Sequence, residues 1–149
     1  MEIRGIVRKD RKTKSLVAKL KQGEIAAIDH PDLDQVAADS LIKTKVRLVI
    51  NASPSISGRY PNLGPKLLLK AGIPVLDQVG KDCFDTLPDN EEIEVKDERI
   101  FYNQNILGKG ELLTLDSIEI LTEQAKENLN LELSQFIQNT LDYALVEKG

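Results

Sequence analysis

A chain of 149 residues with 41% hydrophobic content holds one domain with a core of ordinary size, or one domain plus an appended element. No apolar run approaches the roughly 20 residues of a membrane-spanning helix, and the charged start Met1-Glu2-Ile3-Arg4 has no signal-peptide core, so a cytoplasmic location is expected. The single cysteine, Cys83, excludes an internal disulfide, and its neighbours Asp82 and Asp85 disfavour a thiolate, so it reads as a small, half-buried hydrophobe. Net charge is -4, yet Arg4, Arg8, Lys9, Arg11, Lys12, Lys14, Lys19 and Lys21 crowd the start while the tail is acidic. The two ends can attract each other, or the basic strip can stay solvated, or it can touch nucleic acid or an anionic membrane. Interleaved aromatics are absent from the strip, which argues against specific nucleic-acid binding.

In chain order, a strand is expected around Ile3 to Val7, a second from Gly23 to Ile28, and a helix from Pro31 to Lys43 with Leu33, Val36, Ala37 and Leu41 at helical spacing. Val46 to Ile50 is a β-branched run suited to a buried parallel strand. A helix at Lys66 to Ala71 ends near Gly72, a strand follows at Ile73 to Leu76, and a short helix at Lys81 to Leu87. This β-α-β-α-β-α order predicts a small parallel sheet with right-handed crossovers. Beyond Asn90 the segments Ile93 to Val95, Ile100 to Tyr102, Ile106-Leu107 and Leu112-Leu113 alternate with turns at Asp97-Glu98 and Asn103-Gln104-Asn105. They read as an antiparallel meander partnered by the amino-terminal strand. Ser117 is expected to cap a helix running to about Glu147, with Leu121, Ala125, Leu129, Leu133, Phe136, Ile137, Thr140, Leu141 and Ala144 along one stripe. At roughly 45 Å it exceeds what a small domain can cover. Its stripe therefore meets a second copy or another domain, or folds back along the sheet. The chain thus divides into an α/β recognition domain at 1–115 and a helical arm or linker at 116–149.

The stretch from Asn51 to Pro65, N-A-S-P-S-I-S-G-R-Y-P-N-L-G-P, lies at the carboxyl end of a parallel strand, where ligands bind α/β sheets. It has no Walker lysine, no G-x-G-x-x-G order and no nucleophile paired with a base, so it suggests binding rather than catalysis. The parallel topology also brings Asp29, Asn51 and Asp77 to the same edge, around Arg59. The candidate site is accordingly Asn51, Ser53, Ser55, Ser57, Gly58, Arg59, Tyr60, Asn62, Asp29 and Asp77. It is either a crevice donating to a phosphate or a partner's carboxylate, or a loop whose serines satisfy their own backbone and whose Arg59 pairs with Asp29 or Asp77. His30, between Asp29 and Pro31-Asp32-Leu33-Asp34, offers a metal ligand or general base, but the segment reads better as the start of a helix.

The blocks Arg4-Gly5-Ile6-Val7-Arg8, Arg11-Lys12-Thr13-Lys14, Gly23 to His30, Asn51 to Pro65 and Ala71 to Asp77 together resemble the SteA-like putative cytokinetic ring proteins of bacteria. Phe136 to Tyr143 resembles the helix that leads, in that family, into a thiamin pyrophosphokinase-like domain. The resemblance implies the amino-terminal part of a longer protein, with that domain and a membrane-anchoring tail downstream on the cytoplasmic side. Its ATP and magnesium would belong to the downstream domain, and no cofactor or metal is expected here. Implied partners are that domain, division proteins and a second copy through residues 118–147. A weaker likeness of Gly23 to Ala26, Gly72-Ile73-Pro74 and the meander to swivelling phosphohistidine domains implies a three-layer swivelling β/β/α-like fold. Ser53 to Ala71 holds no histidine, so phosphoryl-carrier chemistry would be lost. The leading expectation is a non-catalytic recognition or assembly domain in cell division. The alternative is an accessory substrate- or nucleotide-binding domain of a thiamin pyrophosphokinase-like enzyme.

Overall fold

The structure, a computed structural model, describes residues 1–148; Gly149, the last residue of the expected arm, lies outside them. Strands β1 (Glu2–Lys9), β2 (Ile25–Ile28), β3 (Leu48–Asn51) and β4 (Val75–Asp77) run parallel and in that order. Helices α1 (Thr13–Val17), α2 (Gln35–Lys43) and α3 (Gly64–Lys70) connect them, and α4 (Lys81–Thr86) leads into β5 (Glu91–Lys96), β6 (Arg99–Tyr102) and β7 (Asn105–Lys109). β8 (Glu111–Leu112) precedes α5 (Leu115–Lys148). The strands form a mixed eight-stranded sheet in the order β7-β6-β5-β1-β2-β3-β4-β8.

The parallel strands are buried on both faces, and their pleat sorts side chains between two cores. Ala26, Ile28, Val49 and Val75 face a core shared with α1, α2, α3 and the start of α5. Ile25, Ala27, Leu48, Ile50 and Leu76 face one shared with α4 and with Ile93, Val95 and Ile100 of the meander. Helices, parallel strands and meander are thus three layers. The amino-terminal strand joins them, pairing with β2 on one side and β5 on the other. Hairpin turns at Asp97-Glu98 and Asn103-Gln104 hold both central residues at positive φ, the mirror-image geometry that suits the strands' right-handed twist.

Some boundaries differ from expectation. The last short strand is not part of the meander: Leu112 pairs with Leu76 of β4, at the opposite edge of the sheet from β7. Only Gly110 separates β7 from β8, so the sheet curls until its two edges are joined by one residue. Helix α2 begins at Gln35 rather than Pro31, because the Asp34 carboxylate accepts the Ala37 N–H at 2.8 Å and Asp32 sits at φ 51. Thr114, not Ser117, caps α5. Its hydroxyl accepts the Ser117 N–H at 3.0 Å, and the Ser117 hydroxyl accepts the Thr114 N–H at 2.9 Å. Helix α1 was not legible in the charged strip that holds it. Part of that strip is paired within the domain: Arg4 pairs with Glu92 and Glu94, Arg8 with Glu24 and Asp89, Arg11 with Asp85 and Lys19 with Asp10, and among the described residues none of these partners lies on the acidic tail.

Candidate functional site

Asp29, Asn51 and Asp77 do follow or end adjacent parallel strands at one edge of the sheet. Asn51 and Asp77 are fully buried there, and so is Ser55 of the following loop. Ser55 donates its N–H to Asp77 Oδ1 at 3.1 Å and its hydroxyl to the same oxygen at 2.7 Å. Its hydroxyl also accepts from Asn51 Nδ2 at 2.8 Å. Asn51 Nδ2 donates to the His30 carbonyl at 2.9 Å as well, and Asn51 Oδ1 accepts the His30 N–H at 3.1 Å. A hydrogen-bonded chain from Asp77 to His30 therefore crosses the carboxyl ends of three strands. Burial pushes the Asp77 carboxyl up to about 6, against the pull of the two Ser55 bonds in the other direction.

The other two serines are held in the same manner. The Ser53 hydroxyl donates to Asp29, and Ser57 donates its N–H and hydroxyl to Asp32, each at 2.8 Å. Each serine thus meets an aspartate from elsewhere in the chain, and the donors expected to reach an anion are committed to carboxylates. Asn62 donates to the Ser55 carbonyl at 3.1 Å and closes the loop on itself. Gly64 ends it in close contact: a Cβ there would lie 2.0 Å from the Leu33 carbonyl oxygen.

Arg59 does not sit between Asp29 and Asp77. Its Nε lies 3.8 Å from a Glu132 carboxylate oxygen on α5, and its guanidinium lies 5.2 Å from the Tyr60 ring centroid. The neighbouring Gly58 carbonyl accepts from Asn128 of α5 at 2.6 Å. The loop root, 51–57, is therefore a brace centred on buried Asn51 and Ser55, while the tip grips the helical arm. Between tip, α3 and α5 runs a groove of about 570 Å³ lined by Leu63, Lys66, Lys70, Leu115, Glu119 and Lys126 among others.

His30 does not cap α2. Its Nδ1 lies 2.9 Å from the Thr13 hydroxyl of α1, a contact that no local pattern announces across 17 residues. Cys83 is buried in the second core, where burial pushes its thiol up and keeps it protonated. Among the described residues no group of His, Cys, Asp and Glu is arranged to hold a metal ion, and no helix is long and apolar enough to cross a membrane.

No family model and no curated protein matches the chain. Among solved structures, a 3-isopropylmalate dehydratase (leuD) of Methanocaldococcus jannaschii is similar to it at 14% identity and a TM-score of 0.47, over 94% of this chain and 99% of that one. Similarity of that order carries nothing about chemistry.

Proposed function

We propose that this chain is a recognition and assembly domain without chemistry of its own, acting in bacterial cell division as its resemblance to SteA-like proteins implies. The observation that supports this is α5. Its first turns dock on the domain through Ile118, Leu121 and Ala125, and Leu129 is half-buried. From Asn130 to Ala144 every side chain is exposed, Phe136 at 67%, Ile137 at 57% and Leu141 at 54%. The stretch from Asn130 to Lys148 extends about 28 Å past Leu129 at the α-helical rise. The docking stripe simply continues outward as Leu133, Phe136, Ile137 and Leu141.

A second copy of the chain suits this stripe. Between Leu129 and Ala144 only Glu132 and Asp142 are charged, and Glu132 is engaged by Arg59, so two arms meet with little repulsion. Sedimentation equilibrium tests the reading. Wild type is expected to dimerise at tens of micromolar, and Leu133→Glu with Phe136→Glu to leave a monomer with an unchanged melting temperature. A wild type that stays monomeric at several hundred micromolar overturns assembly through the arm.

A further inference from the structure

We infer that the groove between α1 and α2 is a binding site for a small phosphate monoester with an apolar body. The groove has a volume of about 660 Å³ and is lined by Arg11, Lys12, Lys14, Val17, His30 and Val36 among others. That volume lies within the roughly 300–1,000 Å³ of small-molecule sites. It opens beside the carboxyl ends of β1 and β2, on a different part of the edge from the loop root and away from the arm, and so stands independently of the assembly reading.

His30 is fixed on both sides by buried partners. Thr13, 8% exposed, holds Nδ1, and Asn51, fully buried, holds both the N–H and the carbonyl of the His30 backbone. A solvated histidine requires none of this, since burying a polar side chain costs free energy unless its bonds are made. The other ring nitrogen, Nε2, has no partner among the described residues and is left for a ligand.

The cations on the rim complete the chemistry. Lys12 and Lys14 are exposed and make no ion pair among the described residues, while Arg11 makes one exposed contact with Asp85 at 3.4 Å and keeps donors to spare. The carboxylate in the groove, Asp34, gives one oxygen to the cap of α2 and keeps its charge, which the three rim cations Arg11, Lys12 and Lys14 outnumber. Two free ammonium groups match the double charge of a phosphate monoester, and an imidazole adds a directed bond. The opposite wall is apolar, with Val36 75% exposed beside Val17 and Ala37. An ion without an apolar body would leave that wall wet.

Phenyl phosphate combines the two features and serves as the probe, titrated into the full chain and followed by amide chemical shifts. Saturable shifts are expected at Thr13, His30, Val36 and Ala37, with affinity at least tenfold above that of inorganic phosphate or phenol. Lys12→Ala with Lys14→Ala is expected to weaken binding at least tenfold. Val36→Glu is expected to abolish the preference over inorganic phosphate. Both sets of side chains are exposed, so the melting temperature checks that the fold is intact. Shifts that fail to saturate by 10 mM, or that persist unchanged in both variants, overturn the site. Vesicles containing phosphatidic acid form a separate arm, and binding to them without binding to phenyl phosphate also overturns it, because the groove would then be reading a membrane surface.

Discussion

The root and the tip of the loop after β3 are both rich in polar residues, yet they end in opposite surroundings. In the root, Ser53, Ser55 and Ser57 each meet an aspartate, and Ser55 and Asp77 have no contact with solvent. At the tip, Arg59 and Tyr60 are exposed, and the partners of Gly58 and Arg59, Asn128 and Glu132, lie on a helix some 70 residues away. A buried polar group must have its bonds made or the fold loses the full desolvation cost, whereas an exposed ion pair contributes little. Stability should therefore reside in the root, and freedom to recognise a partner in the tip and arm.

The largest effect that separates the two is expected at the end of the loop. Gly64→Ala would drive a methyl into the Leu33 carbonyl, a backbone group that cannot step aside, and should destabilise the chain by about 3 kcal/mol. Urea denaturation measures this, and a loss below about 1 kcal/mol would show that the loop yields as readily as the tip.

A pH series sharpens the comparison further. The Asp77 carboxyl is raised from 3.8 to about 6, so in that window the folded chain holds a proton that the unfolded chain has released. Folded stability contributed by Asp77 is therefore greatest below the lower value and falls as pH rises through the upper one. Asp77→Asn keeps an oxygen to accept from Ser55 and has no charge to bury. The stability of the variant relative to wild type should rise between about pH 4 and 7 by an amount on the order of 2 kcal/mol. Chemical denaturation of both proteins across that range isolates the residue, and parallel curves would mean that Asp77 titrates as an ordinary carboxylate.

The smallest effect is expected at the tip. Arg59→Ala removes an exposed ion pair with Glu132 and should change stability by less than about 1 kcal/mol. The amide signals of Asn128 and Glu132 should nonetheless move, since the arm loses one of its two holds on the loop. A drop in melting temperature as large as that of Gly64→Ala would make Arg59 a brace and erase the distinction between root and tip.

Much of this fold is written in local patterns. The parallel strands announce themselves as short apolar runs, the meander as alternation punctuated by Asp97-Glu98 and Asn103-Gln104, and the arm as a stripe at helical spacing. The placement of Asp29, Asn51 and Asp77 at one edge followed from the β-α-β order alone. Helix α1 was hidden because five residues with one large buried apolar side chain, Leu16, are too short to show a period. The cap of α5 was misplaced because Thr114 and Ser117 carry the same group, and only their reciprocal bonds show which stands first.

By itself, then, the sequence determined most of the elements, their order, and the buried or exposed character of most apolar positions, because hydrophobic periodicity acts over a few residues and leaves its mark in the chain. The choice of polar partners was decided by tertiary structure. Ser57 meets Asp32, Ser55 meets Asp77, His30 meets Thr13, and Arg59 meets Glu132 rather than either aspartate at the strand ends. A chain with 24 acidic side chains offers each donor many equivalent acceptors, and only the curl of the sheet and the direction of α5 bring one of them within reach.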